Sequence, residues 1–136
     1  MAIAINGINH YAITVGNLEE SVAWYNRVFG FEEISRGMIG NTPVQVSHMQ
    51  GPGFQLEIFC YDGAEPLAEF RKNPGADMVV QGNKHVAFGV PSVRTVADEL
   101  REMGVNIAHM MDEPGHGVIF INDNTGNLVE LFQESE

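Results

Sequence analysis

Gly7-Ile8-Asn9-His10-Tyr11-Ala12-Ile13-Thr14-Val15 returns 75 residues later as Gly82-Asn83-Lys84-His85-Val86-Ala87-Phe88-Gly89-Val90, with Gly, His, Ala and Val in identical places. A repeat of this period points to two copies of one supersecondary unit. Each segment runs on into a helix signature. Asn17 and Ser92 stand as N-caps, Glu20 completes a capping box with Asn17, and Gly30 and Gly104 mark the stops. The apolar stripes are Leu18, Val22, Tyr25 and Phe29 in the first helix and Val93, Val96, Ala97, Leu100 and Met103 in the second. Short segments rich in Val, Ile and Phe follow each helix. They are broken by Gly37, Gly40, Pro43 and Gly51-Pro52-Gly53 in one half and by Pro114-Gly115, Gly117 and Asn124-Thr125-Gly126 in the other, and so read as three strands with tight turns. The closing strands align as well, Gly53 to Phe59 falling on Gly126 to Phe132, which sets Glu57 on Glu130.

The predicted pattern is βαβββ twice, an α+β fold within a single domain of residues 1–136. Module one covers about 3–62 and module two about 82–133, joined by a polar linker, 63–81, with a short helix around Leu67 to Arg71. Each helix should cover one face of its four strands, and the opposite faces are expected to form an open cleft.

The chain of 136 residues, 44% hydrophobic, is long enough to bury a core without disulfides or structural metal. Its formal charge of −11, from 18 acidic against 7 basic residues, sets it against phosphate backbones and anionic lipid surfaces. Neither nucleic acid nor a membrane is an expected partner. Cys60 is the single cysteine, no apolar run reaches membrane-spanning length, and the first residues lack a basic start followed by an apolar stretch; a reducing cytoplasm is the expected compartment.

Side chains alternate along a strand, so His10, Ala12 and Thr14 share one face of the first strand while Tyr11, Ile13 and Val15 share the helix side. In the repeat, Val86, Phe88 and Val90 are bulky, leaving His85, Ala87 and Gly89 on the thinly filled face. Glu57 lies between Leu56 and Ile58, and Glu130 between Val129 and Leu131. An unpaired carboxylate buried there would be costly. A divalent cation held by two neutral imidazoles and two carboxylates removes that cost, since the charges sum to zero, and leaves positions open for substrate oxygens. Duplication alone explains the matching residues but not why polar ones persist inside apolar strands.

Other residues carry weaker signals. His116, in the glycine-flanked loop Pro114 to Gly117, is a candidate substrate contact. His48 and His109 read as structural or exposed, and Met49, Phe54, Phe59 and Phe132 as core more than pocket lining, with Phe59 and Thr14 kept as candidate substrate contacts. Cys60 reads as inert beneath the helix, and Asp112-Glu113 and Glu134-Ser135-Glu136 as solvated charge.

The His10 segment with Gly16-Asn17-Leu18-Glu19-Glu20-Ser21, Trp24-Tyr25 and Val28-Phe29-Gly30-Phe31 resembles the vicinal oxygen chelate superfamily, also called the glyoxalase/bleomycin resistance/dioxygenase family. So do Lys84 to Phe88 and Asp123 to Leu131, and the similarity covers nearly the whole chain. The resemblance implies paired βαβββ modules and a divalent metal (Ni, Zn, Mn, Co or Fe) held by His10, Glu57, His85 and Glu130. It also implies a homodimer acting on a small molecule whose neighbouring oxygens chelate the metal. The full His/Glu/His/Glu set is similar to that of glyoxalase I, with Glu130 or Glu57 expected as the proton shuttle through an enediolate. Where microbial glyoxalase I carries an Arg and an Asn that hold glutathione, this chain has Thr14 and Tyr61.

The expected activity is therefore a metal-dependent isomerase, epimerase or lyase acting on a hydroxy-carbonyl compound other than a glutathione adduct. Two alternatives compete with it. An extradiol-type dioxygenase would use two His and one Glu, which Glu57 argues against, and a non-catalytic drug-resistance binder would need no metal, which the full ligand set argues against.

Overall fold

The computed structural model of the chain describes residues 1–134 and divides it into two compact units, Met1–Ala64 and a second beginning at Glu65. The first contains strand β1 (His10–Val15), helix α1 (Leu18–Phe29) and strands β2 (Glu32–Met38), β3 (Gln45–Gly51) and β4 (Phe54–Cys60). The second contains a 3₁₀ turn (Glu69–Lys72), helix α2 (Pro74–Met78), strand β5 (Val86–Val90), helix α3 (Val93–Glu102) and strands β6 (Ile107–Glu113), β7 (His116–Asn122) and β8 (Leu128–Gln133). Ser135 and Glu136, read above as solvated charge, lie outside the described residues.

The two sheets have one topology. Strand order is β1-β4-β3-β2 in one and β5-β8-β7-β6 in the other, with β1 parallel to β4, β5 parallel to β8, and the remaining pairs antiparallel. Even an irregularity is shared: β2 slips register at Ile34 and β6 at Ala108, 74 residues on.

The helices begin and end where their caps dictate. Asn17 Oδ1 accepts the Glu20 N–H at 3.0 Å, and Ser92 Oγ accepts the Thr95 N–H at 3.3 Å, each closing one of the donors a helix start leaves open. Gly30 adopts φ 71°, letting its N–H reach Asn26 O while Phe31 N–H reaches Tyr25 O, a left-handed exit that favours glycine. Met103 departs from the expected stripe. It caps α3 one residue past the last turn and is 38% exposed.

The core of each unit lies between its helix and its sheet. Val15, Tyr25, Met49, Leu56 and Ile58 are buried in the first, and Val93, Ala97, Ile119, Ile121, Val129 and Leu131 in the second. Each large side chain of this kind contributes about 1.5–3 kcal/mol relative to exposure. The opposite faces carry His10, Ala12 and Thr14 exposed on β1 and Ala87 exposed on β5, as the alternation requires.

The expected linker belongs largely to the second unit. Asn73 Oδ1 caps α2 by accepting the Ala76 N–H, and Asn122 Nδ2 donates to Lys72 O at 3.0 Å. Asp77 is buried, and Lys84 Nζ donates to its backbone oxygen at 2.8 Å and lies 3.4 Å from its Oδ1. The residue before His85 is thereby fastened to α2.

Candidate metal centre

The parallel pairing of β1 with β4 sets Ala12 opposite Glu57, so His10, two residues earlier on the same face, reaches back over the carboxylate. His10 Nε2 lies 3.7 Å from Glu57 Oε1, beyond a direct hydrogen bond. Its Nδ1 lies 2.7 Å from Asn9 Oδ1. An amide oxygen only accepts, so Nδ1 donates to it, and in a neutral ring Nε2 then keeps its lone pair. That is the arrangement a metal-ligating imidazole shows.

In the second unit β5 and β8 set Ala87 opposite Glu130, and His85, just ahead of β5, takes the place of His10. His85 Nε2 and Glu130 Oε2 are 2.8 Å apart, and the His85 ring stands edge-on to Phe120 with centroids 4.9 Å apart. The turn feeding β8 is built by Asp123, whose Oδ1 accepts the N–H groups of Thr125, Gly126 and Asn127, each at 2.9 Å. Both carboxylates are mostly withdrawn from water, each side chain 16% exposed.

The structure thus brings the expected ligands together in pairs, His10 with Glu57 in the first unit and His85 with Glu130 in the second. Imidazole nitrogen with carboxylate oxygen is a donor set suited to Zn, Ni, Co, Mn or Fe, so the residues fit a divalent metal. Among the described residues, no three His, Cys, Asp or Glu side chains form a ready-made metal-binding group.

The remaining candidates fall into place around these pairs. Thr14 and Phe59 face one another across β1 and β4, two residues along from Ala12 and Glu57, with Thr14 exposed and Phe59 half-buried. His116 is exposed at the start of β7, its ring 6.0 Å from Phe132. Four residues of extended chain, about 13 Å, separate it from Phe120 beside Glu130, so it is not brought to the carboxylate. Met49 does lie in the core, while Phe54 is half-buried, edge-on to Phe31. Phe132 does not; it is 41% exposed, because its parity in β8 puts it on the Glu130 face. Cys60 is half-buried and free, and His109 is exposed as expected.

His48 is the residue that the sequence reading undervalued. It faces Glu57 across the β3–β4 pairing, with Nε2 2.7 Å from Glu57 Oε2 and Nδ1 3.0 Å from Ser35 Oγ. Counting outward from the Gly51-Pro52-Gly53 turn would have placed it there, since an antiparallel hairpin fixes which residues oppose each other.

Fold and site together define a duplicated βαβββ protein with a polar pair on the open face of each sheet. A family model for the Glyoxalase/Bleomycin resistance protein/Dioxygenase superfamily matches residues 7–131, and the chain belongs to that superfamily. It is 30% identical to an ethylmalonyl-CoA/methylmalonyl-CoA epimerase from Cereibacter sphaeroides, covering 95% of this chain and 98% of the relative. It is 27% identical to a protein named probable lactoylglutathione lyase from Synechocystis, covering 93% of this chain and 94% of that one. Among solved structures, the fosfomycin resistance protein FosX of Listeria monocytogenes, complexed with Mn(II) and 1S,2S-dihydroxypropylphosphonic acid, superposes with a TM-score of 0.71 at 19% identity, over 97% of this chain and 95% of that one. No helix among the described residues is long and apolar enough to cross a membrane, which leaves β-barrel crossing unaddressed.

Proposed function

We propose that the protein is a divalent-metal-dependent isomerase, epimerase or lyase, with His10, Glu57, His85 and Glu130 as the metal ligands and a small hydroxy-carbonyl compound as substrate. The observation that carries this reading is the setting of His10: Nδ1 lies 2.7 Å from Asn9 Oδ1, so that in a neutral ring the lone pair falls on Nε2, beside Glu57. When bound, the metal polarises neighbouring substrate oxygens and so acidifies the adjacent carbon. The chain's own part is then to move a proton. Glu57 and Glu130 are the carboxylates available to do so.

The two are differently placed. Glu57 Oε2 is engaged by His48, whereas the residue in that position beside Glu130 is Phe120, which offers no hydrogen bond. Glu130 Oε2 is met only by His85, itself a proposed ligand that would turn to the metal, so Glu130 is the carboxylate assigned to remove the proton, with Glu57 serving chiefly as ligand. Thr14 and Tyr61 stand where the resemblance places an Arg and an Asn that hold glutathione, which favours a smaller substrate. Thr14 and Phe59 supply a short hydroxyl and an apolar wall on the Glu57 face.

Elemental analysis of the purified protein, after chelator treatment and reloading with Ni, Co, Mn, Fe or Zn, tests the reading. About one divalent metal per His/Glu set is expected, lost in Glu57→Gln. Glu130→Gln should lower turnover of α-hydroxycarbonyl compounds at least 100-fold, on the scale typical of a lost general base. Wild-type protein that takes up none of these metals would sink the enzyme reading and leave a small-molecule binder as the one to pursue.

A further inference from the structure

Beside Glu57 the first sheet supplies a second imidazole that the second sheet does not supply to Glu130. The registers allow position-by-position comparison. His48 faces Glu57 as Phe120 faces Glu130, and Ser35 faces His48 as His109 faces Phe120, each pair following its own bulge. The duplicated framework thus holds a hydroxyl–imidazole–carboxylate line in one unit and a phenyl ring in the other.

Valence assigns the protons along that line. An ionised carboxylate only accepts, so His48 Nε2–H donates to Glu57 Oε2 across 2.7 Å. In a neutral ring Nδ1 then has the lone pair, and it accepts the Ser35 hydroxyl proton across 3.0 Å. One oxygen of Glu57 is occupied by this line, and the other, Oε1, is left towards His10.

We infer that Ser35 and His48 are positioning residues that hold Glu57 in one orientation and commit it to binding metal through Oε1 alone. The inference rests on the metal-centre reading above. Groups that orient a ligand in this way are generally worth 10–100-fold in metal affinity. Phe120 offers Glu130 no such bond, and the imidazole that does meet Glu130, His85 at 2.8 Å, is itself a proposed ligand, so with metal bound the two carboxylates should differ in how firmly they are held although their strands are equivalent.

The experiment is Co(II) titration of the full chain in competition with a chromophoric chelator, for wild type, Glu57→Gln, His48→Ala, His48→Gln and Ser35→Ala, with thermal unfolding of each metal-free protein alongside. His48→Ala should weaken Co(II) binding about 10- to 100-fold. His48→Gln, whose amide can still donate to Oε2, should recover most of the loss, and Ser35→Ala should fall between. A merely structural role would lower thermal stability without this order of affinities. Independently of any variant, the ¹⁵N spectrum of the metal-free wild type should show His48 protonated on Nε2 and bare on Nδ1. Unchanged Co(II) affinity in His48→Ala, with binding lost in Glu57→Gln, overturns this inference and leaves the metal centre standing. Equal losses in His48→Ala and His48→Gln also overturn it, by making His48 a ligand. A wild type that binds no Co(II) or other divalent metal overturns both readings together.

Discussion

Gly117 shows how one hydrogen atom in place of a methyl group can shape a unit. A Cβ there would lie 2.5 Å from Val93 Cγ2 and 3.2 Å from Gln133 Cβ. Val93 is fully buried and β-branched, so it has little room to step aside, and Gln133 is held because its Oε1 accepts the Val93 N–H. Gly117→Ala should therefore destabilise the protein by about 1–3 kcal/mol, seen as a lower urea midpoint with an unchanged slope. In the sequence Gly117 reads only as turn punctuation, since nothing local announces that a helix start will press on it. The site residues divide along the same line. His10, Glu57, His85 and Glu130 stand out because each is polar among apolar neighbours and each has a counterpart in the repeat. His48 has Phe120 as its counterpart, so the repeat conceals it. Ser35 reaches His48 only through the bulge at Ile34, for which the residues themselves give no sign.

Between elements, a cluster of charge ties the edge strand β2 to its neighbours. Ser47 Oγ on β3 donates to Glu33 Oε2 at 2.5 Å, Arg36 Nε donates to the same oxygen at 2.8 Å, and the Arg36 guanidinium also pairs with Glu19 on α1. Burial on its own would raise the Glu33 carboxyl, but the hydrogen bonds from Arg36 and Ser47 and the Arg36 charge outweigh it and hold the group below its usual value. A carboxyl lowered by folding stabilises the protein fully above its unfolded pKa and loses that contribution as pH falls through the folded one. Wild type should thus lose stability between about pH 5 and pH 3 that Glu33→Gln, already without it at neutral pH, does not lose. Urea titrations of the two at both ends of that window check the sign. The helices α1 and α3 were legible because cap, stripe and glycine stop all agree. Helix α2 was not, although Asn73-Pro74 is a sound cap and first position, because five residues are too few to display a stripe.

On the scale of the whole molecule, the order of strands repeated without alteration is what the matching segments foretold, and the division near residue 64 falls at the front of the expected linker. The part not foretold is that the segment after it is fastened to the second unit through Asn122 and Lys84. Ile3, Ile5 and Ile8 are exposed ahead of β1, as are Met78 and Val79 at the end of α2. Surface of that kind accords with the homodimer expected from the family resemblance, and sedimentation equilibrium should return twice the mass of the 15.0 kDa chain.

The parallel pairing of β1 with β4 has a bearing on the order of folding events. His48 and Glu57 belong to one hairpin and can meet by closing a short loop, whereas His10 meets Glu57 only after α1, β2 and β3 have been laid down between them. The same holds for His85 and Glu130. The His10–Glu57 and His85–Glu130 pairs are therefore each assembled by the most distant contact in their sheet, so the proposed metal would be captured by a completed unit and would not template an early one.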